Sequence, residues 1–261
     1  MKYTVLYNQS AGDSDSEKRA KQFKNTAENA QQTVELIGTT SREQAIDYVQ
    51  KNIKNIETLV VVGGGDGSLN TVFSALISLD NSPVIGILPG GTVNNFARAM
   101  NIPLDSKAAT EVILHGRVVN ADLLHTNQRA IVSSLTLGTI AEMAKGGSTR
   151  RKATMGRALA YLFSGAKKIL TTKPASIVVK SNHQRYQFST RFLLVTTTSS
   201  IGGFTKFDPE VDIDDHQIHI TVLKRFSPWR LVGYFSYFIT GQIRKLNDAS
   251  YLKLEQANIS S

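Results

Sequence analysis

Two strand–glycine–helix signals in the first hundred residues constrain the fold more than anything else in this chain. Residues 58–62 form a β-branched, apolar run that ends in Gly63-Gly64-Gly65-Asp66-Gly67. Leu69, Val72, Phe73, Leu76 and Ile77 then fall on one face of a helix. The pattern recurs at residues 83–88, which run into Pro89-Gly90-Gly91 and a second helical segment over residues 93–100. Short runs that are apolar throughout belong to strands buried on both faces, as in a parallel sheet covered by helices. Glycine turns after adjacent parallel strands are expected to meet at the carboxyl edge of the sheet, where open α/β folds bind ligands.

The surrounding segments agree with this alternation. Residues 3–7 read as a strand, residues 17–31 as a polar helix and residues 33–39 as another strand. Ser41 to Gln44 form a helix cap ahead of Ala45, Ile46 and Val49. After about Asp122 the rhythm changes. Residues 130–137, 175–180, 186–198 and 217–223 have period-two strand character, while residues 157–170 and 228–243 look helical. Strands that follow one another at this length predict an antiparallel sheet or sandwich as a second domain.

Glycines after a buried strand let backbone N–H groups turn toward a ligand, and the following helix adds partial positive charge, so phosphate is the expected guest. The Gly63-x-Gly65-x-x-Ser68 spacing lacks the third glycine of a dinucleotide fingerprint, and only Asp80, in a turn, lies near the place for its acidic partner. The Gly-Lys-Ser/Thr end of a P-loop is missing too. Gly64, Gly65 and Gly91 supply the turns, Thr92 a hydroxyl and Asn94 an amide. Arg98 lies one helical turn beyond Asn94, either as a bidentate phosphate clamp or as a surface ion pair.

Gly64-Gly65-Asp66-Gly67-Ser68-x-Asn70 by itself is shared by NAD kinases, phosphofructokinases and lipid kinases. Joined to Pro89-x-Gly91-Thr92-x-Asn94-x-Phe96-Ala97-Arg98, it resembles the diacylglycerol kinase catalytic domain family. Asn8-Gln9-Ser10-Ala11-Gly12 is similar to that family's amino-terminal loop, and Phe207-Asp208-Pro209 to Asp215 resembles its turn for a structural magnesium. The resemblance implies an NAD kinase/diacylglycerol kinase-like α/β domain over residues 1–122. It also implies a β-rich lipid-substrate domain, an antiparallel β-sandwich, over residues 123–261. The implied reaction moves the γ-phosphoryl of ATP to a diacylglycerol-like hydroxyl, with Mg²⁺ neutralising phosphate charge. Nucleotide contacts carry over to Asn8, Thr39, Gly65, Asp66, Gly67, Ser68, Asn70 and Thr92; the structural metal carries over to Asp215, binding side-on, with backbone carbonyls near Asp212 and Gln217.

Some positions depart from the family pattern. Asp13 replaces a lysine, Thr71 an acidic residue, Asn95 an aspartate and His216 a glycine. The family's Asp-Gly-Glu segment, with its general base, does not follow Asn258-Ile259-Ser260-Ser261, so no base is assigned; Asp13 and Asp212 are candidates for the cleft. The alternative reading is a catalytically degenerate nucleotide- or lipid-binding relative.

Composition narrows the setting. The absence of cysteine in 261 residues excludes disulfides and thiolate chemistry and suits a reducing, cytoplasmic compartment. Neither a secretory leader nor a membrane span is expected, since the most apolar stretch, residues 231–239, is too short. The net charge of +9 is uneven: residues 1–122 hold 11 Lys+Arg against 13 Asp+Glu, residues 123–261 hold 19 against 8. The basic second half, with seven cations and no acid over residues 145–168 and with Trp229, Arg230, Arg244 and Lys245 around an aromatic segment, predicts peripheral docking on the anionic inner face of a membrane. A solvated basic surface and a core helix are the plainer readings. His216 and His219 are expected to be a strand-surface pair. No nucleic-acid partner is expected, and the family resemblance admits a homodimer.

Overall fold

A computed structural model describes residues 1–9, 15–77, 79, 82–126, 129–138, 173–181, 184–225 and 231–260. Residues 10–14, Asp80, the basic stretch at 145–168 with its expected helix, Trp229, Arg230 and Ser261 lie outside the described residues. The chain divides into two compact units, Met1–Ser133 and Ser134–Ser261.

In the first unit, strands β1 (Lys2–Asn8), β2 (Thr33–Thr39), β3 (Thr58–Val62) and β4 (Val84–Leu88) alternate with helices α1 (Asp15–Asn29), α2 (Arg42–Asn52), α3 (Asp66–Leu76), α4 (Asn95–Ala99) and α5 (Ser106–His115). The four strands form one parallel sheet in the order β2-β1-β3-β4. On one face Tyr3, Val5 and Tyr7 pack with Val60, Val62 and Leu88 against Ala20, Phe23 and Ala27 of α1. Tyr3 and Phe23 meet edge to face at 5.6 Å between ring centres. Thr4 and Leu6, on the opposite face of β1, are buried as well, so the sheet is covered on both sides. All five residues of β3 are buried, as its uninterrupted apolar pattern requires.

A short hairpin, β5 (Leu124–Thr126) and β6 (Arg129–Ile131), completes this unit. It is fastened to α3 by side chains. Asn70 Oδ1 accepts the Val132 N–H at 2.8 Å, and Ser74 Oγ accepts the Ala130 N–H at 3.0 Å. Ala130 and Val132 are buried there.

Among its described residues the second unit has two antiparallel sheets. One has the order β12-β11-β10-β7, from β7 (Ser134–Gly138), β10 (Phe192–Thr196), β11 (Ile218–Leu223) and β12 (Ala249–Leu254). The other has the order β13-β8-β9, from β8 (Ala175–Ser181), β9 (Gln184–Thr190) and β13 (Asn258–Ser260). The strand expected over residues 186–198 is therefore two strands in two sheets. Thr190 makes the break: its hydroxyl accepts the Phe192 N–H and donates to Leu223 O, replacing ladder bonds where the chain changes sheet. The run at 130–137 divides in the same way between β6 and β7, in different units.

Helix α6 (Leu231–Thr240) packs Tyr234 and Tyr237 on the core around Leu194, Phe207, Ile243 and Leu246. The Tyr234 hydroxyl donates to Asp248 at 2.8 Å. These two tyrosines, three residues apart, support the core-helix reading of this segment. No described helix is long and apolar enough to cross a membrane.

Candidate functional site at the carboxyl edge of the parallel sheet

From β1 the chain moves outward to β2 and then returns to the other side of β1 for β3 and β4. Loops leaving β1 and β3 consequently diverge and open a crevice between them, the switch point of an open α/β sheet. An open cleft of about 570 Å³, mouth included, lies at this position. Asn8, Thr39, Gly67 and Ser68 line it, with Thr71 and Arg42 at its rim and Val61 among its apolar walls. Four of the expected nucleotide-contact residues, from three separate elements, are thus gathered in one cleft.

The first glycine turn leads into the Gly67–Ser68 part of its lining, and the second turn packs against the first backbone to backbone. A Cβ added at Gly90 would sit 2.6 Å from Gly63 Cα, and one at Gly91 would sit 2.5 Å from Gly65 Cα. Neither distance is tolerable for a side chain, so the close approach itself requires glycine. Gly63 has a positive φ of 68°, and Gly64 N–H donates to Leu88 O at 3.3 Å, joining the first turn to the strand that leads into the second. Gly65 caps α3 through its backbone. Past it, the first-turn N–H groups of Asp66 and Gly67 have no acceptor among the described residues, and nothing approaches within 4 Å of where a Gly67 Cβ would stand. Free donors, an open approach and the positive end of an eleven-residue helix make an anion cradle.

Several expected contact residues are engaged with other parts of the protein, and of these only Thr39 also lines the cleft. The Asp66 carboxylate accepts the N–H groups of Asn95 and Phe96 at 3.1 and 2.9 Å, capping α4 from the opposite turn. Asn94 is buried with φ 56° and ψ 51°; its amide accepts from Gly91 N–H at 2.9 Å and donates to Gly91 O at 2.8 Å. Asn70 holds the hairpin. Thr39 Oγ1 donates to Tyr7 O, and Thr92 is exposed beside Gly91. Arg98 donates its Nε to Val93 O at 2.9 Å; this bends the side chain back over the second turn. Asn95 and Thr71 stand where the resemblance places acids, and Thr71 Oγ1 donates to Gly67 O at 3.1 Å.

Sequence reasoning missed Arg19 and Arg42. Arg19, on α1, donates to Pro89 O at 2.7 Å and so ties a third element to the second turn. Neither residue belongs to a motif. Ser41, already read as a helix cap, accepts the Gln44 N–H, and that capping turn sets Arg42 at the cleft.

The expected metal residues lie in the second unit, and their carboxylates are already engaged. Asp215 contacts Lys253 and His219, Asp212 Oδ1 accepts the Ile213 N–H at 2.7 Å, and Gln217 uses its backbone N–H on Asp215. Among the described residues no group of three or more His, Asp or Glu is placed to hold a metal. Two expectations are corrected here. His219 is buried, 3% exposed, where a surface pair was expected; His216 is exposed with a positive φ of 56°. Arg244 does not face outward as a docking charge, because it pairs with buried Asp208 at 2.9 Å and with Glu210 at 2.7 Å.

Taken together, the sheet, its switch-point cleft and the side-chain-free turns define an α/β domain shaped to hold an anionic ligand. Residues 2–126, just under half of the chain, match the diacylglycerol kinase catalytic domain. It is similar to the diacylglycerol kinase of Bacillus subtilis strain 168, 28% identical over 222 residues that cover 85% of this chain and 73% of that protein. It is also similar to the diacylglycerol kinase of Staphylococcus aureus strain MRSA252, 24% identical over 98% of this chain and 81% of that one. A crystal structure of a diacylglycerol kinase from Bacillus anthracis strain Sterne shares the fold, with a TM-score of 0.73 at 20% identity over all of this chain and 84% of that one.

Proposed function

We propose that the chain is an ATP-dependent lipid kinase that transfers the γ-phosphoryl of ATP to a diacylglycerol-like hydroxyl. The observation that carries this reading is the backbone cradle at Gly63–Gly67 and Gly90–Gly91, open at Gly67 and placed beside the switch-point cleft. Phosphate oxygens would take the Asp66 and Gly67 N–H groups, and the nucleoside would lie in the cleft of Asn8, Thr39, Ser68 and Arg42. The acceptor oxygen bonds to the γ-phosphorus as the bond from γ-phosphorus to the β,γ-bridging oxygen breaks; ADP leaves and the acceptor hydroxyl releases its proton. Mg²⁺ arriving with the nucleotide supplies charge neutralisation on the phosphates. Asp215 and its neighbours do not fit a structural metal, so no step passes through one.

The remaining assignments belong to the same reading. The first unit, Met1–Ser133, is the nucleotide domain and the second, Ser134–Ser261, the lipid-substrate domain. The basic second half docks on the cytoplasmic face of an anionic membrane, and a homodimer fits the family. Incubation with ³²P-labelled ATP and a panel of diacylglycerol, phosphatidylglycerol and sphingoid bases should label at least one lipid. A blank panel, with the protein folded, sinks the kinase reading.

One observation favours a second reading, nucleotide binding without turnover. Thr71 spends its hydroxyl on Gly67 O at a position where the family resemblance calls for an acid. Saturable ATP binding with no labelled lipid, unrecovered by Thr71→Glu with Asn95→Asp, would select it.

A further inference from the structure

The carboxylate of Asp215 is satisfied from within the second unit. Oδ1 accepts the Gln217 N–H at 3.0 Å, while Oδ2 lies 2.9 Å from His219 Nε2 and 3.0 Å from Lys253 Nζ. Strand register brings this about: His219 of β11 is the cross-strand partner of Lys253 of β12, so both side chains reach one carboxylate. On the far side of the imidazole, Arg244 NH2 lies 3.1 Å from His219 Nδ1. A guanidinium only donates, so Nδ1 accepts and Nε2 carries the proton that goes to Asp215. Arg244 continues the chain, with Nε on both oxygens of buried Asp208 at 3.0 and 2.9 Å.

We infer that Lys253 is a built-in counter-cation for Asp215, so that the turn leading into β11 is held in place by the protein's own ammonium and needs no divalent ion. A Mg²⁺ ion demands oxygen ligands at about 2.0–2.1 Å in near-octahedral array. An ion that close to Asp215 Oδ2 would meet the Lys253 ammonium and the His219 N–H, both donors and neither able to ligate it. Among the described residues no group of three or more His, Asp or Glu is placed to hold an ion; Asp212 is turned to Ile213 N–H and Asp208 is taken by Arg244. The inference concerns the second unit and does not depend on the nucleotide reading.

Thermal unfolding of the whole protein in millimolar MgCl₂ and in EDTA tests it. The wild type should unfold at the same midpoint in both. Lys253→Met, which keeps the aliphatic stem, should unfold at a lower midpoint, by the same amount in EDTA and in MgCl₂, because the His219 N–H still faces the carboxylate. Lys253→Arg should hold the wild-type midpoint and its indifference to Mg²⁺, and this variant decides the matter if Lys253→Met does not fold. A saturable rise of the wild-type midpoint with Mg²⁺ that Asp215→Asn abolishes overturns the inference, as does a Lys253→Met protein with the wild-type midpoint. A rise that survives Asp215→Asn places the ion elsewhere and leaves the inference standing.

Discussion

Gly91 and Asp66 show how much of the cradle is mechanical. Gly91 has Gly65 Cα at 2.5 Å and Asn94 Oδ1 at 2.8 Å from where its Cβ would be. Gly91→Ala must therefore push the two turns apart, at a cost of about 1–3 kcal/mol, as for other overpacked sites. Its nucleotide affinity, read by equilibrium binding, should fall more than its stability, because both turns lose their relative position. Asp66→Ala removes the acceptor of two α4 N–H groups and should lower stability by about 1–2 kcal/mol in urea denaturation even with no nucleotide present. If Asp66 served a ligand alone, the apo protein would not register the change. Asn94 adds a conformational requirement, since its left-handed backbone admits asparagine and glycine readily and penalises branched side chains.

At the scale of elements, the strands and helices of the first unit were legible because their signals are local. An apolar run followed by three glycines and a helical stripe at Leu69, Val72 and Leu76 can be read without knowing what packs against them. The breaks at Thr190 and at 132–133 were not, because period-two patterning continues smoothly while the partner strand changes. The Asp215–His219–Arg244–Asp208 chain was illegible for a related reason. Its members stand up to 36 residues apart and meet only through register and a turn around Arg244. Arg244→Met should cost about 3–5 kcal/mol in chemical denaturation, since it strands the buried Asp208 charge. Tyr251, whose hydroxyl donates to Ile243 O beside this chain, gives the element a pH limit. Burial, followed by the Asp208 charge, raises its pKa above the ordinary value of 10.0. The raised folded value means that its contribution is intact below that ordinary pKa and is lost as pH climbs above it. Stability measured through alkaline pH should fall for the wild type, and Tyr251→Phe should flatten that limb.

For the whole molecule, the division after Ser133 has a consequence for fragments. A piece spanning residues 1–133 keeps Ala130 and Val132 in place on α3 through Ser74 and Asn70. A piece ending at residue 122 leaves that surface bare and loses buried Leu124, Ala130 and Val132. The longer fragment should unfold cooperatively at the higher urea midpoint, with near-native nucleotide affinity if the cradle is the binding site. Equal midpoints would show that the hairpin contributes nothing. The interlocked turns matter on a longer timescale as well. Their walls are main chain, and the shape of the hollow is set by side chains that are missing. Drift at Thr71, Asn95 or the residues lining the cleft can therefore retune or extinguish chemistry while the hollow survives, and new chemistry can be rebuilt around a pocket that never had to be reinvented.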